Sequence, residues 1–383
     1  MLMSESRAWA EVDLSLIAHN VEEVRKLIPK TSKIMGIVKA NAYGHGDVEC
    51  ARALQECGVD FFGVSSVDEA VRLRENGIES RILILGYTPP CHFHLLSEHH
   101  LIQTLVNLAY ARKLDAYGKD NNCTILAHAK ADTGMNRIGV TLQDHEYHIE
   151  EILEMYAMEH VHVCGIFSHF SVSDSHTPDD LAFTKHQIEL FDKVLEDIRK
   201  AGFDPGVTHL QNSYGILNYP QLQYDYVRPG LLYMGVTSDD EIKINTAPDF
   251  KPILSLKANV SMVKQIREGD TVSYGRHFKA KRATKVASVS IGYADGIPRL
   301  LSNQGLEVLV HGQRAKIIGN ICMDQLMLDV TGIDDVKEGD VVVLIGEQGE
   351  ERVSVDAMSR ASHTINNETL TCIASRVPRI YKK

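Results

Sequence analysis

A lysine at the end of a short apolar run is the first residue in this sequence whose placement suggests chemistry. The run from Lys33 to Val38 has the length of a buried strand, and Lys39 follows it at the start of a polar, glycine-punctuated loop. An amine in such a place is partly desolvated, so it can act as a nucleophile or form a Schiff base near neutral pH. The simpler interpretation is a lysine that extends its ammonium past an apolar stem into solvent. The same loop contains Asn41, Tyr43 and His45, which favours a functional site.

Polar and charged side chains also follow several later apolar runs. The segment from His209 to Gly215 offers an amide, a hydroxyl and backbone N–H groups at a helix start, which suits an anion. An ordinary helix cap is the simpler explanation. Arg228 follows the next run, and it either forms a surface ion pair or lies beside an acceptor that stays unprotonated. His169 and Tyr274 also follow apolar runs, and ordinary packing is the alternative interpretation for each.

The pattern of apolar runs predicts the elements that position these residues. Short β-branched runs alternate with helical patterns up to residue 240, which implies right-handed βαβ units and a parallel sheet. We therefore predict an α/β fold with a TIM-type (β/α)8 barrel, in which chemistry lies at the carboxyl ends of the strands. The predicted barrel strands are 33–38, 61–64, 82–85, 104–106, 124–130, 161–167, 207–210 and 226–228.

Strands dominate after a polar linker that runs from Asp239 to Pro252. The predicted strands of this part are 255–266, 271–274, 286–291, 307–310, 315–318, 327–330 and 341–345, with turn pairs such as Gly269-Asp270 between them. We therefore predict a second, mostly β domain. It comprises residues 245–383 together with residues 1–11, and residues 12–240 form the barrel domain.

Composition and net charge argue against some classes of binding partner and indicate a cellular compartment. The 383 residues carry a net charge of -11, which argues against nucleic acid or an anionic membrane surface as a partner. No apolar run reaches the roughly 18 residues of a spanning helix, and the amino terminus carries acidic residues in place of a basic-then-apolar signal. A cytoplasmic location is therefore expected. The seven cysteines form no CxxC pair, which favours reduced thiols over disulfides or a metal site.

The segment Val38–Gly46, with the sequence VKANAYGHG, resembles the pyridoxal-phosphate lysine signature of the alanine racemases. That family includes the serine/alanine racemases of the vancomycin-resistance type. The similarity extends from Arg7 to Tyr381, with further matching segments at residues 130–139, 165–170, 209–215, 227–231, 272–276, 291–299, 319–324 and 376–381. The resemblance implies a barrel followed by a β domain. It also implies an isomerase that interconverts L- and D-alanine with pyridoxal 5'-phosphate and supplies D-alanine for peptidoglycan.

The resemblance assigns roles to individual residues of this chain. Lys39 would carry the cofactor, and Lys39 and Tyr274 would exchange the Cα proton from opposite faces of the substrate. The other cofactor-binding residues that it implies are Tyr43, His169, His209, Asn212, Ser213, Arg228, Gly230 and Leu231. The implied substrate-binding residues are Arg137, Tyr293, Met323, Asp324 and Ser375. Lys130 matches a lysine that is carbamylated in some members, and an unmodified salt-bridge lysine is the alternative.

Arg228 indicates the reaction type within this resemblance. Beside the pyridine nitrogen of the cofactor, a guanidinium leaves that nitrogen unprotonated and weakens the ring as an electron sink, which suits quick reprotonation and hence racemisation. An unperturbed phenol is a poor base at neutral pH, so Tyr274 needs a neighbouring cation, for which Arg137 is the candidate. In the family Tyr274, Tyr293 and the loop 319–324 enter the site from the partner subunit. A homodimer with shared active sites is therefore implied.

Ser375 marks a departure from part of the family. Some alanine racemases have a tyrosine at this place, and that tyrosine crowds the substrate methyl. A serine leaves room for a hydroxyl, so a serine or dual serine/alanine racemase is an alternative.

Two more distant alternatives are a barrel-type amino-acid decarboxylase, for which an acidic partner is expected in place of Arg228, and a pyridoxal-phosphate-binding regulatory protein, which usually lacks a β domain. The membrane domain of the resistance proteins has no counterpart in the 383 residues, so we expect a free-standing racemase.

Overall fold

A parallel sheet closes almost completely into a barrel in the computed structural model, which describes residues 6–383. Residues 1–5 of the segment 1–11 assigned above to the β domain lie outside the described residues. The barrel segments in chain order are Lys33–Ile34, Gly36–Ile37, Phe61–Val64, Arg81–Ile84, Ile102–Leu105, Ile125–Asp132, Val161–Phe167, Val207–His209 and Tyr226–Val227. Two short strands, Val140–Gln143 and Glu146–Tyr147, extend the sheet beside Ile125–Asp132.

The barrel begins with one strand that is interrupted at Met35. Its first part, Lys33–Ile34, pairs with Tyr226–Val227, and its second part, Gly36–Ile37, pairs with Phe61–Val64. The nine segments therefore occupy eight positions around the barrel. The predicted (β/α)8 barrel is confirmed.

Side chains of the barrel strands alternate between the inside of the barrel and the surrounding helices, because successive residues of a strand point to opposite faces. Phe61 belongs to the interior group, whereas Phe62 packs in the larger core that includes the helices. The interior group consists of Met35, Ile37, Phe61, Leu83, Ile102, Phe167 and Tyr226. This part of the interior is apolar and closely packed.

Helices follow most of the barrel strands. Ser15–Leu27 precedes the first barrel segment, and the later helical segments are Lys39–Tyr43, whose backbone is left-handed after Lys39, Asp47–Glu56, Val67–Glu75, Phe93–Glu98, Leu108–Asn121, Ile149–Tyr156, Pro178–Lys200 and Ser213–Asn218, with 3-10 turns at Pro90–His92 and Leu231–Met234. The longest, Pro178–Lys200, starts with proline at its first position, and the Thr177 side chain accepts a hydrogen bond from the Asp180 N–H. Within residues 6–383, the helices lack the combination of length and apolarity that crossing a membrane requires.

A second sheet of nine strands forms the carboxyl-terminal part, which confirms the predicted, mostly β second domain. Its spatial order is Glu351–Val353, Val341–Gln348, Glu307–Val310, Gln313–Ile318, Leu326–Asp329, Thr284–Val289, Leu254–Ile266, Ala8–Asp13 and Arg379–Lys382. Both ends of the described chain therefore lie in one sheet. The strands Thr271–Val272 and Phe278–Lys279 form a separate hairpin.

The carboxyl-terminal part also contains short helical segments that the apolar pattern did not predict. These are the helices Val355–Ala361 and Asn366–Thr371 and the 3-10 turns Tyr274–Arg276, Tyr293–Asp295 and Arg299–Leu301. The helix Val355–Ala361 is capped by the Ser354 hydroxyl, which accepts the Ala357 N–H. Each segment spans at most seven residues, which is too short for the 3.6-residue period to be recognised in the sequence.

Candidate active site

Lys39 is followed by a turn with a left-handed backbone. Ala40, Asn41, Ala42 and Tyr43 all have φ between 50° and 55°. Each residue with a side chain costs free energy in this region, so four in a row persist only when the surroundings hold them. The turn directs Lys39 and Tyr43 from the end of the first barrel strand.

Hydrogen bonds from three directions hold this left-handed turn. The Glu69 carboxylate accepts the Ala40 N–H at 2.7 Å, and the buried ring of His45 lies 2.9 Å from the Ala42 carbonyl oxygen. The Arg379 guanidinium donates to the Gly44 carbonyl at 2.8 Å. The partners come from within the loop, from a neighbouring helix and from the far end of the chain.

Tyr43, Ser213 and Gly230 come together at a narrow cradle, as the predicted phosphate site requires. The Gly230 N–H donates to the Ser213 hydroxyl at 3.2 Å. A Cβ atom added at Gly230 would lie 2.4 Å from the Tyr43 hydroxyl oxygen, so a larger residue there would displace the Tyr43 side chain. Leu231 opens the 3-10 turn that follows, and Asn212 caps the short helix that Ser213 begins by accepting the Gly215 N–H at 2.8 Å.

Arg228 is buried and held by four acceptors. Its guanidinium donates to Nδ1 of His209 at 2.8 Å, Nδ1 of His169 at 3.1 Å, and the carbonyls of Ser168 and Leu210 at 2.8 and 2.9 Å. Burial lowers the pKa of Arg228 to about 9, so the group remains a cation at neutral pH. Within residues 6–383 its Nε–H donates to no acceptor, and the nitrogen that binds His209 has a second N–H without an acceptor, so the guanidinium has donors left for a further group. No carboxylate takes part, and the surface ion pair considered above is not formed.

The histidines around Arg228 are neutral acceptors. A guanidinium can only donate, so Nδ1 of His209 is unprotonated and the proton of its ring lies on Nε2. That nitrogen lies 2.9 Å from Nδ1 of His128 and donates to it. Burial, reinforced by the charge on Arg228, holds the pKa of His209 and of His169 well below the usual range. Burial also lowers the pKa of His128 to about 3.

Lys130 lies on the barrel strand Ile125–Asp132 and is fully buried. Its ammonium donates to the Ala131 carbonyl at 2.8 Å and lies 5.2 Å from the centre of the Phe167 ring. No carboxylate lies within 4.0 Å of it in residues 6–383, so the salt-bridge alternative has no partner there. Burial, with Arg228 acting in the same direction, lowers the pKa of Lys130 to about 7. A large share of this amine is therefore neutral at physiological pH.

The amine of Lys39 is partly desolvated. Burial is the main cause that lowers its pKa, Arg137 and Arg228 act in the same direction, and Glu69 opposes them. Arg137 itself is exposed and forms no ion pair within residues 6–383. Two of the predicted site residues, Arg228 and Arg137, therefore lie close enough to Lys39 to affect its charge, and Arg137 is open to solvent.

Tyr274 and Tyr293 lie on the surface of their own chain. The Tyr274 side chain is 70% exposed, and the Tyr293 side chain is 41% exposed. Neither phenol hydrogen-bonds or stacks on a barrel residue within residues 6–383. Backbone bonds tie Tyr293 to the loop 319–324, because its N–H donates to the Cys322 carbonyl at 3.0 Å and the next N–H donates to Met323 at 2.9 Å. The Asn320 amide donates to the Tyr274 carbonyl at 2.8 Å, so the structure groups both tyrosines with the loop 319–324.

The remaining predicted substrate residues lie beside this second group. Met323 is 53% exposed, and the carboxylate of Asp324 accepts a hydrogen bond from Arg376 at 2.7 Å. Arg376 also pairs with the buried Asp295 at 3.0 Å. Ser375 is exposed next to Arg376.

Three residues of the site were missed by the sequence analysis. His128 lies two residues before Lys130, so the strand alternation that places Lys130 on one face also indicates His128. Glu69 stands three residues after Ser66. That spacing signals a helix start and gives no indication of the bond that Glu69 forms with the Ala40 N–H. Arg379 lies in the matching segment 376–381, but no local pattern indicated its contact with Gly44, which spans 335 residues of sequence.

Comparison with known proteins identifies the family. Residues 12–238 match the family description "Alanine racemase, N-terminal domain", and residues 253–381 match "Alanine racemase, C-terminal domain". An alanine racemase of Carboxydothermus hydrogenoformans is 42% identical over 97% of this chain and 99% of its own length. An amino-acid racemase of Enterococcus faecalis is 39% identical over 97% of this chain, which spans only 51% of that protein.

A solved structure agrees with these matches. The alanine racemase of Bacillus anthracis with bound L-Ala-P has a TM-score of 0.90 and 33% identity, covering 98% of this chain and 95% of that one. The resemblance inferred from the motifs is thereby confirmed. This chain belongs to the alanine racemase family.

Proposed function

We infer that this protein is an isomerase, an amino-acid racemase that interconverts L- and D-alanine. The buried cationic Arg228 carries the inference, since it stands where a decarboxylase is expected to have an acid and donates to neutral acceptors only. The relatives from Carboxydothermus hydrogenoformans and Bacillus anthracis are named alanine racemases, which favours alanine over serine as the substrate. D-alanine made in this way would supply peptidoglycan.

The residues present fit pyridoxal 5'-phosphate, the cofactor that the family uses. Gly230, Ser213 and Tyr43 form a cradle in which a Cβ would clash, which suits a phosphate close to the backbone. Within residues 6–383 the Nε–H of Arg228 has no acceptor and would donate to the pyridine nitrogen, and His169 lies beside Arg228. When bound to Lys39, the cofactor supplies an electron sink that acidifies the Cα–H bond of an amino acid.

Two residues of the chain then move the proton. Lys39 has a lowered pKa because it is buried near Arg137 and Arg228, so it can accept the Cα proton on one face. Tyr274 returns a proton to the opposite face. The exposed Arg137 would bind the substrate carboxylate, together with the backbone of Met323 and Asp324, and Tyr293 and Ser375 would border the substrate.

The complete site would form in a homodimer. Tyr274, Tyr293, Leu300 and Met323 are large side chains, each more than 40% exposed, and all lie in the carboxyl-terminal part. Tyr293 and Met323 lie together because backbone hydrogen bonds join their loops, and a contiguous patch of exposed apolar side chains is typical of a surface that another protein covers. The catalytic tyrosine of the partner subunit would then face the Lys39 of this chain, and each site would need both chains.

Mixing two inactive variants tests this arrangement directly. Lys39→Ala should lose cofactor linkage and activity, and Tyr274→Phe should keep the cofactor but lose most racemisation. When the two are unfolded and refolded together, hybrid dimers contain one site with both native residues, so about one quarter of wild-type activity should return if chains pair at random. Full activity of Tyr274→Phe alone would contradict the two-base mechanism, and no recovery on mixing would place Tyr274 in its own chain's site.

Substrate preference is measured by kcat/KM for L-alanine and L-serine on the wild type and on Ser375→Tyr. We expect alanine to lead by about a hundredfold, roughly 2.7 kcal/mol of discrimination, and the variant to change little. Comparable rates for the two amino acids, with serine turnover removed by the tyrosine, would instead assign the chain to the dual-specificity type.

Lys130 would carry a carbamate. Its buried amine has a pKa lowered to about 7, so the neutral form that attacks carbon dioxide is available. A carbamate would place a negative charge near Arg137 and orient it. Mass analysis of the intact protein under native conditions, with and without bicarbonate, should show the added group, and Lys130→Arg should abolish it.

A further inference from the structure

Glu69 reaches across from a neighbouring helix to the backbone just after Lys39. One carboxylate oxygen accepts the Ala40 N–H at 2.7 Å, and the other accepts the N–H and the hydroxyl of Ser65 at 2.7 and 2.8 Å. Its own backbone is fixed at the start of the helix Val67–Glu75, where the Ser66 hydroxyl accepts the Glu69 N–H. Three donors therefore hold a half-buried carboxylate in one orientation.

The bond falls at the first residue of the left-handed turn. Ala40 has φ of 52° and is the residue at which the chain leaves the barrel strand for that turn. A hydrogen bond to an ionised carboxylate is about twice as strong as a neutral one. Glu69 is thus well placed to stabilise a backbone conformation that non-glycine residues avoid.

The same carboxylate provides the negative charge around the Lys39 amine. Arg137 and Arg228 both disfavour the ammonium form of Lys39, and of the three charged groups that act on it only Glu69 favours that form. Glu69 also acts on Tyr43 at the cradle, where burial is the main cause that raises the pKa of the phenol and the carboxylate adds to it. One side chain therefore affects both ends of the turn.

We propose that Glu69 is a positioning residue for Lys39, which holds the left-handed turn through Ala40 and offsets the two arginines near the amine. The inference rests on the proposed function only in assigning the cofactor to Lys39. Its two actions are separable, because glutamine keeps an acceptor oxygen but removes the charge, whereas alanine removes both.

Amine reactivity tests the electrostatic action without any assay of catalysis. The full chain is freed of cofactor and treated with an acylating reagent across a pH series, and labelling of Lys39 is quantified by peptide mass spectrometry against the exposed Lys33. In Glu69→Gln the pH of half-maximal labelling at Lys39 should fall by about one unit, since loss of a nearby negative charge disfavours the ammonium. Glu75→Gln, at the exposed end of the same helix, should leave it unchanged.

Cofactor titration tests the positioning action. Pyridoxal-phosphate binding, followed by absorbance, should weaken about tenfold or more in Glu69→Ala, because a charge-assisted bond to the Ala40 N–H is lost, and less in Glu69→Gln. Glu69→Asp, which keeps the charge, should retain the wild-type labelling profile even if it binds the cofactor more weakly.

Three outcomes are distinguished by these measurements. Labelling and binding of both variants equal to those of Glu75→Gln would overturn the inference. A wild-type chain that binds pyridoxal phosphate without racemising amino acids would contradict the proposed function. The labelling of Lys39 would still test the role of Glu69, because that measurement does not depend on racemisation. Loss of thermal stability with an unchanged labelling profile would reduce Glu69 to a structural role and also overturn the inference.

Discussion

At the scale of single residues, the site depends on side chains that close contacts and hydrogen bonds hold in place. The cradle places the hydroxyls of Tyr43 and Ser213 at the backbone of Gly230, and Arg228 is held by two imidazoles that must remain neutral to accept its hydrogen bonds. Because burial keeps the pKa of His169 and His209 well below neutrality, these rings stay acceptors throughout the physiological range. The charge on Arg228, which we propose lies beside the pyridine nitrogen of the cofactor, is therefore held in one arrangement near neutral pH.

Gly230→Ala should abolish cofactor retention while leaving the fold intact. The added Cβ would lie 2.4 Å from the Tyr43 hydroxyl and would displace that group from the cradle. We expect pyridoxal-phosphate affinity to fall by at least about a hundredfold, or roughly 2.7 kcal/mol, as measured by absorbance titration. Gly332→Ala is the matched control, because a Cβ there meets no atom within 4 Å. Equal affinities in the two variants would contradict the assignment of the cradle.

At the scale of elements, the last segment of the chain fastens the loop that carries Lys39. The Arg379 guanidinium donates to four backbone carbonyls, those of Gly44, Ile373, Ala374 and Val377, at 2.6 to 2.8 Å. The Tyr381 hydroxyl lies against Gly46, where a Cβ would not fit. The carboxyl-terminal segment thus fixes the far side of the loop whose near side Glu69 holds.

Arg379→Lys should loosen this junction. A lysine has three donors on one nitrogen and cannot reach four carbonyls that surround a planar guanidinium, so at least one partly buried carbonyl loses its partner. We expect the free energy of unfolding in urea to fall by about 2 kcal/mol, with weaker cofactor binding. Arg282→Lys, an exposed position without side-chain bonds in residues 6–383, should change neither quantity. An Arg379→Lys protein as stable as this control would refute the role of the junction.

At the scale of the whole molecule, one carboxylate joins three neighbouring strands that come from distant parts of the chain. Glu11 accepts hydrogen bonds from Trp9 at 3.0 Å and from Lys382, and it pairs with Lys257 at 2.9 Å. Burial alone would raise the pKa of Glu11, but these donors outweigh burial and lower it to about 2. The ionised Glu11 carboxylate therefore holds the first and last strands of the described chain together.

Acid should weaken the molecule through Glu11. Its folded pKa lies below the usual 4.5, so its contribution is fully present above pH 4.5 and is lost as the pH falls toward 2. The shift corresponds to about 3 kcal/mol at most. Urea unfolding at pH 7 and pH 3 should show a smaller loss of stability on acidification in Glu11→Gln than in the wild type. Glu338→Gln, an exposed control, should behave as the wild type, and an equal acid sensitivity of Glu11→Gln would disprove the link.

The sequence by itself determined the architecture and the family. The two-residue period of strands and the 3.6-residue period of helices are local properties of a sequence, so the apolar runs predicted a parallel barrel and a mostly β second part. The position of Lys39 at the end of a strand followed from the same pattern. The motif from Val38 to Gly46 then indicated the family. These inferences succeeded because each depends on residues that are close together in the chain.

Only the tertiary structure decided how the site is held. The bonds Ala40–Glu69, His128–His209 and Gly44–Arg379 join residues 29, 81 and 335 positions apart, and no local pattern encodes such pairs. The left-handed turn after Lys39 likewise exists because distant groups stabilise it, against the preference of its own residues. The exposure of Tyr274 on its own chain also became visible only in the folded molecule, because burial depends on every element that packs around a residue.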